Sequence, residues 1–252
     1  MGEAPQLHAL RSRATGQAYL LSSPANCSAK APLVLFLHGA GESGAGDAWG
    51  LLPGYDAAAK AWRSDEPAPV RATPPGLAAD ASPLADGFFV LAPRTQRGWG
   101  TDTHAATLAL LDEVLAKHPC ADASRVILTG ISMGGAGAFS LGAAAAARFA
   151  GVSPICGYSN DDEARVATGL AATPMFVVHG TNDVVIPESA SATLVAALRE
   201  AGNEQVRYDR TTGVAPGGYA RMAGHDSWSA AYGSEDWWSW ARALQPVPQK
   251  SR

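Results

Sequence analysis

Short, continuous apolar runs recur along the chain, most of them bounded by glycine or proline: 33–37 (LVLFL), 87–92 (GFFVLA), 126–128 (VIL) and 175–178 (MFVV), with a further, largely apolar run at 152–156 (VSPIC). Runs of this kind suit strands buried on both faces, as in the middle of a parallel sheet. Between them, Ala- and Leu-rich spacing predicts helices over 104–117, 135–149, 189–201 and 235–244. Residues 205–210 (QVRYDR) alternate polar and apolar, the mark of a strand nearer the sheet edge. The chain shows no internal repeat, so solenoids and propellers are set aside. Alternating strands and helices predict an α/β fold: a mostly parallel sheet, helices on both faces and right-handed crossovers. A chain of 252 residues fits one such domain over 1–252.

Residues 43–86 break this pattern. They contain no strand signal and one short helical candidate at 55–63, followed by Pro67, Pro69, Pro74, Pro75 and Pro83. A structureless stretch of that length inside a compact domain reads as a lid or a disordered insertion.

Composition narrows the class. The chain is 47% hydrophobic and 17% charged, with a net charge of −4, which excludes intrinsic disorder. An isoelectric point near 5.8 offers no broad basic field, so no nucleic-acid partner is expected. The uncharged stretch 126–147 invites a test as a membrane span, but its glycines, Thr129, Ser132 and Ser140 argue against insertion, and no membrane span is expected. Residues 1–21 lack the apolar core of a signal peptide, so a cytoplasmic location is the expectation. Cys27, Cys120 and Cys156 have no regular spacing; three thiols are expected rather than a bridge, and no metal site.

Candidate chemistry begins at Gly130-Ile131-Ser132-Met133-Gly134. This G-x-S-x-G follows a predicted strand and opens a predicted helix, the strand–turn–helix setting in which a serine is lifted above a sheet. Read structurally, Ser132 would instead be a plain helix N-cap. A serine hydroxyl needs an adjacent base. Of six histidines, His38 and His179 end apolar strands and read as packed, structural groups. His104 and His118 read as exposed, and His8 lies too near the N-terminus. His225, in a loop between the last strand and the last helix, fits the chain order Ser…Asp…His. The orienting acid between them is Asp183, which directly follows an apolar strand; Asp161 and Asp162 are rivals, and Asp226 adjoins His225.

The loop Leu37-His38-Gly39-Ala40-Gly41-Glu42 follows an early strand. It can turn the Ala40 amide toward the carbon that Ser132 attacks, as partner to the amide of Met133. A phosphate cradle is excluded there, because no Gly-Lys-Ser/Thr closes the loop. Trp99 and Trp228 are candidates to line the substrate site. Trp237, Trp238 and Trp240 read as anchors of the last helix.

Together HGAGE, GISMGG, HGTNDVVIP and GHDSW resemble the α/β-hydrolases. Among these the chain is most similar to the small carboxylesterase/phospholipase and polyhydroxybutyrate-depolymerase-like esterases, a group that includes bacterial predicted peptidases. The resemblance implies an α/β-hydrolase fold, with Ser132 as nucleophile, Asp183 as orienting acid and His225 as base. It also implies oxyanion amides at Ala40 and Met133, no cofactor and a small-molecule ester substrate. Peptidase or acyl-thioesterase chemistry on the same triad, and a non-catalytic binding protein of the same fold, are the alternatives. Oligomeric state is not legible.

Overall fold

Leu33, Leu35 and Leu37 turn to one face of the sheet and Val34 and Phe36 to the other, and each is at most 2% exposed. A strand with no polar face belongs inside a sheet covered on both sides. In the computed structural model, which describes residues 6–24, 29–63, 71–215 and 220–247, that is where it lies. The strands are β1 (Gln6–Arg11), β2 (Ala18–Ser23), β3 (Ala31–Leu37), β4 (Tyr55–Asp56), β5 (Ala61–Trp62), β6 (Phe89–Pro93), β7 (Ala121–Ile131), β8 (Gly151–Ile155), β9 (Met175–Gly180) and β10 (Val206–Thr211). Eight of them form one sheet in the order β1-β2-β6-β3-β7-β8-β9-β10. From β6 to β10 neighbours run parallel, and β1 and β2 complete the edge antiparallel.

The helices are α1 (Pro74–Ala79), α2 (Thr101–Lys117), α3 (Met133–Ala144), α4 (Glu163–Gly169), α5 (Ser189–Glu200), α6 (Trp228–Tyr232) and α7 (Glu235–Ala243). Side chains of α2 to α5, among them Leu110, Phe139, Val166 and Leu194, cover the face carrying Leu33, Leu35 and Leu37. The opposite face is covered by Leu51, Leu52, Phe88, Tyr232, Trp237 and Trp238. Trp237 is also pinned polar-side down, its Nε1 donating to Ser153 Oγ at 2.8 Å beneath β8. Truncating a fully buried tryptophan of this kind costs about 3–5 kcal/mol. The architecture is the three-layer α/β-hydrolase fold read from the sequence.

Several local expectations need correction. Residues 55–63 are not helical: Asp56 Oδ1 accepts from the amides of Ala58 and Ala59, and β4 and β5 pair as a small antiparallel hairpin. Tyr55 stacks on Trp49 and meets Trp62 edge-on. Pro74 and Pro75 do not interrupt structure but open α1, because the first helical positions need no amide donor. The described parts of 43–86 therefore pack into the layer over the second face rather than forming a structureless stretch; residues 64–70, with Pro67 and Pro69, lie outside the described residues.

The β1–β2 hairpin has no counterpart in the sequence reading. His104 is 9% exposed rather than solvated. The three-thiol expectation fails as well: Cys120 is disulfide-bonded, Cys156 is free and buried, and Cys27 lies outside the described residues. Among the described residues no helix is long and apolar enough to cross a membrane.

Candidate active site

Most of the candidate residues emerge at the carboxyl ends of parallel strands, the edge where α/β sheets hold their ligands, and His225 reaches them from the long loop between β10 and α6. His38 follows β3, Arg94 follows β6, Ser132 follows β7, Cys156 follows β8 and Asp183 lies three residues beyond β9.

Ser132 is held at φ 54° and ψ −117°, a conformation rare for any side chain but glycine. The turn that holds it there is so tight that a Cβ on Gly130 would collide with the Gly134 carbonyl, and one on Gly134 with the Leu37 carbonyl. Glycine on both sides is thus a steric requirement. Ser132 does stand at the N-cap of α3, yet its side chain makes no cap hydrogen bond. Its Oγ instead lies 3.0 Å from His225 Nε2.

On the other side of the ring, His225 Nδ1 lies 2.7 Å from Asp183 Oδ2. A carboxylate only accepts, so Nδ1 carries the hydrogen and Nε2 is left to receive the serine proton. Burial would raise the Asp183 pKa, but hydrogen bonds from His179, His225 and the amides of Ile186 and Val185 outweigh it. They hold the carboxyl below the usual carboxylate range. Trp228 meets the His225 ring edge-on at 5.6 Å and is 6% exposed, so it braces the imidazole. Asp226 turns away, accepting from Ser229. Asp161 is occupied by Ser140 and Arg165, and Asp162 caps α4.

Ala40 opens a single 3₁₀ turn after Gly39, and Met133 is the first residue of α3. Neither amide finds an acceptor among the described residues. The loop before Ala40 is fixed by His38. Its Nε2 accepts from the Thr95 amide at 3.0 Å, so Nδ1 must donate to the Gly39 carbonyl at 2.6 Å, the other end of the Ala40 amide plane. Burial lowers the His38 pKa to about 4, which keeps this tautomer neutral. Trp99 donates from Nε1 to the His38 carbonyl at 2.9 Å and packs its Cβ over Gly137. Trp99 thereby serves the loop as well as the wall of a cavity of about 400 Å³ that it shares with Met133, Gly137 and Tyr158. Val184 and Val185, 63% and 44% exposed, give the Asp183 side an apolar rim.

Cys156 Sγ, Asp183 and His225 place ligand-type atoms within 4.8 Å of one another. Both imidazole nitrogens and the carboxylate are already hydrogen-bonded, and burial pushes the Cys156 thiol up, so it stays protonated. These groups fit a proton relay better than an ion.

Sequence reasoning took His38 and His179 as packed structural histidines, and both are fully buried. It did not reach their links to the Gly39 carbonyl and to Asp183, because those depend on loops distant in the chain.

Residues 95–222, half of the chain, match the phospholipase/carboxylesterase family; the match includes Ser132 and Asp183 and ends just before His225. No curated protein matches the sequence. A thermostable esterase superposes with a TM-score of 0.71 at 26% identity, over 95% of this chain and 62% of its own. The acylaminoacyl peptidase of Pyrococcus horikoshii gives 0.64 at 16% identity, over 98% and 43%. The S-formylglutathione hydrolase of Agrobacterium tumefaciens gives 0.62 at 14%, over 96% and 95%. The chain thus spans less than two thirds of the length of the first two, and the two relatives below 25% identity share its fold. With this fold and this family match, the chain belongs to the phospholipase/carboxylesterase family of α/β-hydrolases.

Proposed function

We propose that this protein is a serine hydrolase of carboxylic esters and that the described fold acts as one catalytic domain. The observation that carries the reading is the unbroken chain Ser132 Oγ–His225–Asp183, at 3.0 and 2.7 Å. Ser132 Oγ attacks the acyl carbon while His225 Nε2 takes its proton. Asp183 remains a carboxylate, fixes the tautomer and stabilises the imidazolium. The oxyanion of the tetrahedral intermediate is received by the amides of Ala40 and Met133, each such donor being worth about 3–4 kcal/mol of barrier. His225 then returns the proton to the leaving alcohol, which leaves an acyl-enzyme. Water deprotonated by the same nitrogen releases the acid and restores Ser132. The chemistry needs only these side chains and amides. Trp99 and Trp228 border the substrate, and the apolar rim at Val184 and Val185 suits its hydrocarbon part.

Labelling with a fluorophosphonate and hydrolysis of short p-nitrophenyl esters test the assignment. Wild-type protein should do both and Ser132→Ala neither. Retained turnover in the variant would remove Ser132 from the mechanism. Peptide and thioester panels measure whether the same triad prefers another acyl bond.

A further inference from the structure

Two cavities flank the loop after β6 and share Arg97. One is the 400 Å³ cavity beside Met133, next to the proposed nucleophile. The other, about 410 Å³, lies on the far side of Arg97 and is lined by Arg11 and Arg94 as well, with Asp102 as its one acidic residue. Three guanidinium groups around one cavity run against the net charge of −4.

None of the three is ion-paired among the described residues. Arg94 donates to the carbonyls of Glu42 and Asp47, and Arg11 to those of Gly16 and Gly46. The side chain of Arg97 has no hydrogen bond or ion pair among the described residues. Backbone carbonyls satisfy donors without cancelling charge, so the cavity keeps a positive field. The N-terminus of the 17-residue helix α2 borders it and adds partial positive charge, which Asp102 in the first turn offsets in part. In the cavity beside Met133, the acid that could compete for Arg97 is Asp161, and Arg165 already holds it at 2.7 Å.

We propose that the ester hydrolysed at Ser132 carries an anionic oxygen group, a carboxylate or a phosphate, which Arg97 holds at the junction of the two cavities. This rests on the reading of Ser132 as nucleophile. The reacting ester sits at Met133, the body of the substrate passes Trp99, and its charged end reaches Arg97 and the field of Arg94 and Arg11. A planar guanidinium with free donors suits a bidentate carboxylate or phosphate contact. Arg97 is solvent-exposed, so its contribution is that of a screened, charge-assisted hydrogen bond, about threefold in selectivity.

Two matched ester pairs test this. Mono-p-nitrophenyl adipate against p-nitrophenyl hexanoate places the charge in the acyl part. The hexanoate ester of 4-hydroxyphenylacetic acid against that of 4-methylphenol places it in the alcohol part. The wild-type enzyme should favour the charged member of one pair in kcat/KM. Arg97→Gln should cut that charged-to-neutral ratio about threefold, and added salt should shrink the wild-type ratio. Competition by adipate against inorganic phosphate then tells a carboxylate preference from a phosphate one. A wild-type ratio near one in both pairs, or a ratio unmoved by Arg97→Gln, overturns the proposal. If instead the nucleophile is misassigned, fluorophosphonate labelling fails and Ser132→Ala keeps its activity on charged and neutral esters alike.

Discussion

His179 Nε2 lies 3.4 Å from Asp183 Oδ2, the same oxygen that His225 Nδ1 reaches at 2.7 Å. The His179 nitrogen is also 2.9 Å from the Ile186 carbonyl, which can only accept, so Nε2 carries a hydrogen. Its Nδ1 meets Ser191 Oγ at 2.7 Å, which ties the ring to α5. The proposed orienting acid is thus clamped between two imidazoles, one facing the reaction and one facing the core.

That clamp gives a first prediction. His179→Phe keeps the bulk and removes the donor, so Asp183 loses one of the bonds that keep it ionised and aimed. The turnover number should fall about tenfold or more, the cost of a buried charge-assisted hydrogen bond, while KM moves by less than about threefold. His179→Gln should recover part of the loss. Equal changes in kcat and KM, with no rescue, would make His179 a packing residue only.

A second prediction concerns pH and stability. His38 titrates at about 4 when folded and near 6.5 when unfolded. Between those values the unfolded chain binds a proton that the folded one refuses, so stability falls as pH drops through that window. Above the unfolded value this group adds no pH dependence. Denaturant midpoints between pH 7 and 4 should therefore decline more steeply for wild type than for His38→Gln. Identical slopes would show that His38 does not stay neutral in the fold.

A third prediction is steric. Gly134→Ala drives a methyl group into the Leu37 carbonyl, where only backbone movement relieves the clash. Loss of more than about 3 kcal/mol of stability, or displacement of the Ser132 turn with loss of fluorophosphonate labelling, is expected. Gly41→Ala, in the loop with open space around that position, is the control and should melt within a few degrees of wild type.

The cysteines give a fourth. With Cys120 bridged and Cys156 free, alkylation of the denatured chain read peptide by peptide should label Cys156 but not Cys120 before reduction, and all three cysteines after it. Reduction should cost about 2–4 kcal/mol, read as a lower melting temperature. Three thiols without reductant would refute the bridge.

What could be read from the chain follows the strength of local physics. β3, β6, β8 and β9 announce themselves because strands buried on both faces tolerate almost nothing polar. Ser132 and Asp183, proposed as nucleophile and acid, are singled out because each follows a strand with a local signature, and His225, proposed as base, by its place in chain order between the last strand and the last helices. The β1–β2 edge is not, since its strands carry His8 and Arg11 among apolar residues and meet the sheet only by long-range pairing. Residues 55–63 look helical by composition, but Asp56 draws the following amides into a turn, and Lys60 takes φ 51°. The links from His38 to Thr95 and from Trp99 to the His38 carbonyl each cross more than fifty residues. No local pattern records such distances.

Ser132 and Cys156 both occupy the left-handed region, and the Ser132 amide donates to the Ile155 carbonyl at 3.0 Å, so the two distorted residues share one crest of the sheet. Conformations of this kind cost about 1–3 kcal/mol each. Ser132→Gly should therefore give a more heat-resistant but inert protein. Selection for thermal endurance alone would erode this crest first, whereas selection for turnover has to keep it bent and seek rigidity elsewhere, in the tryptophan-laden layer beneath.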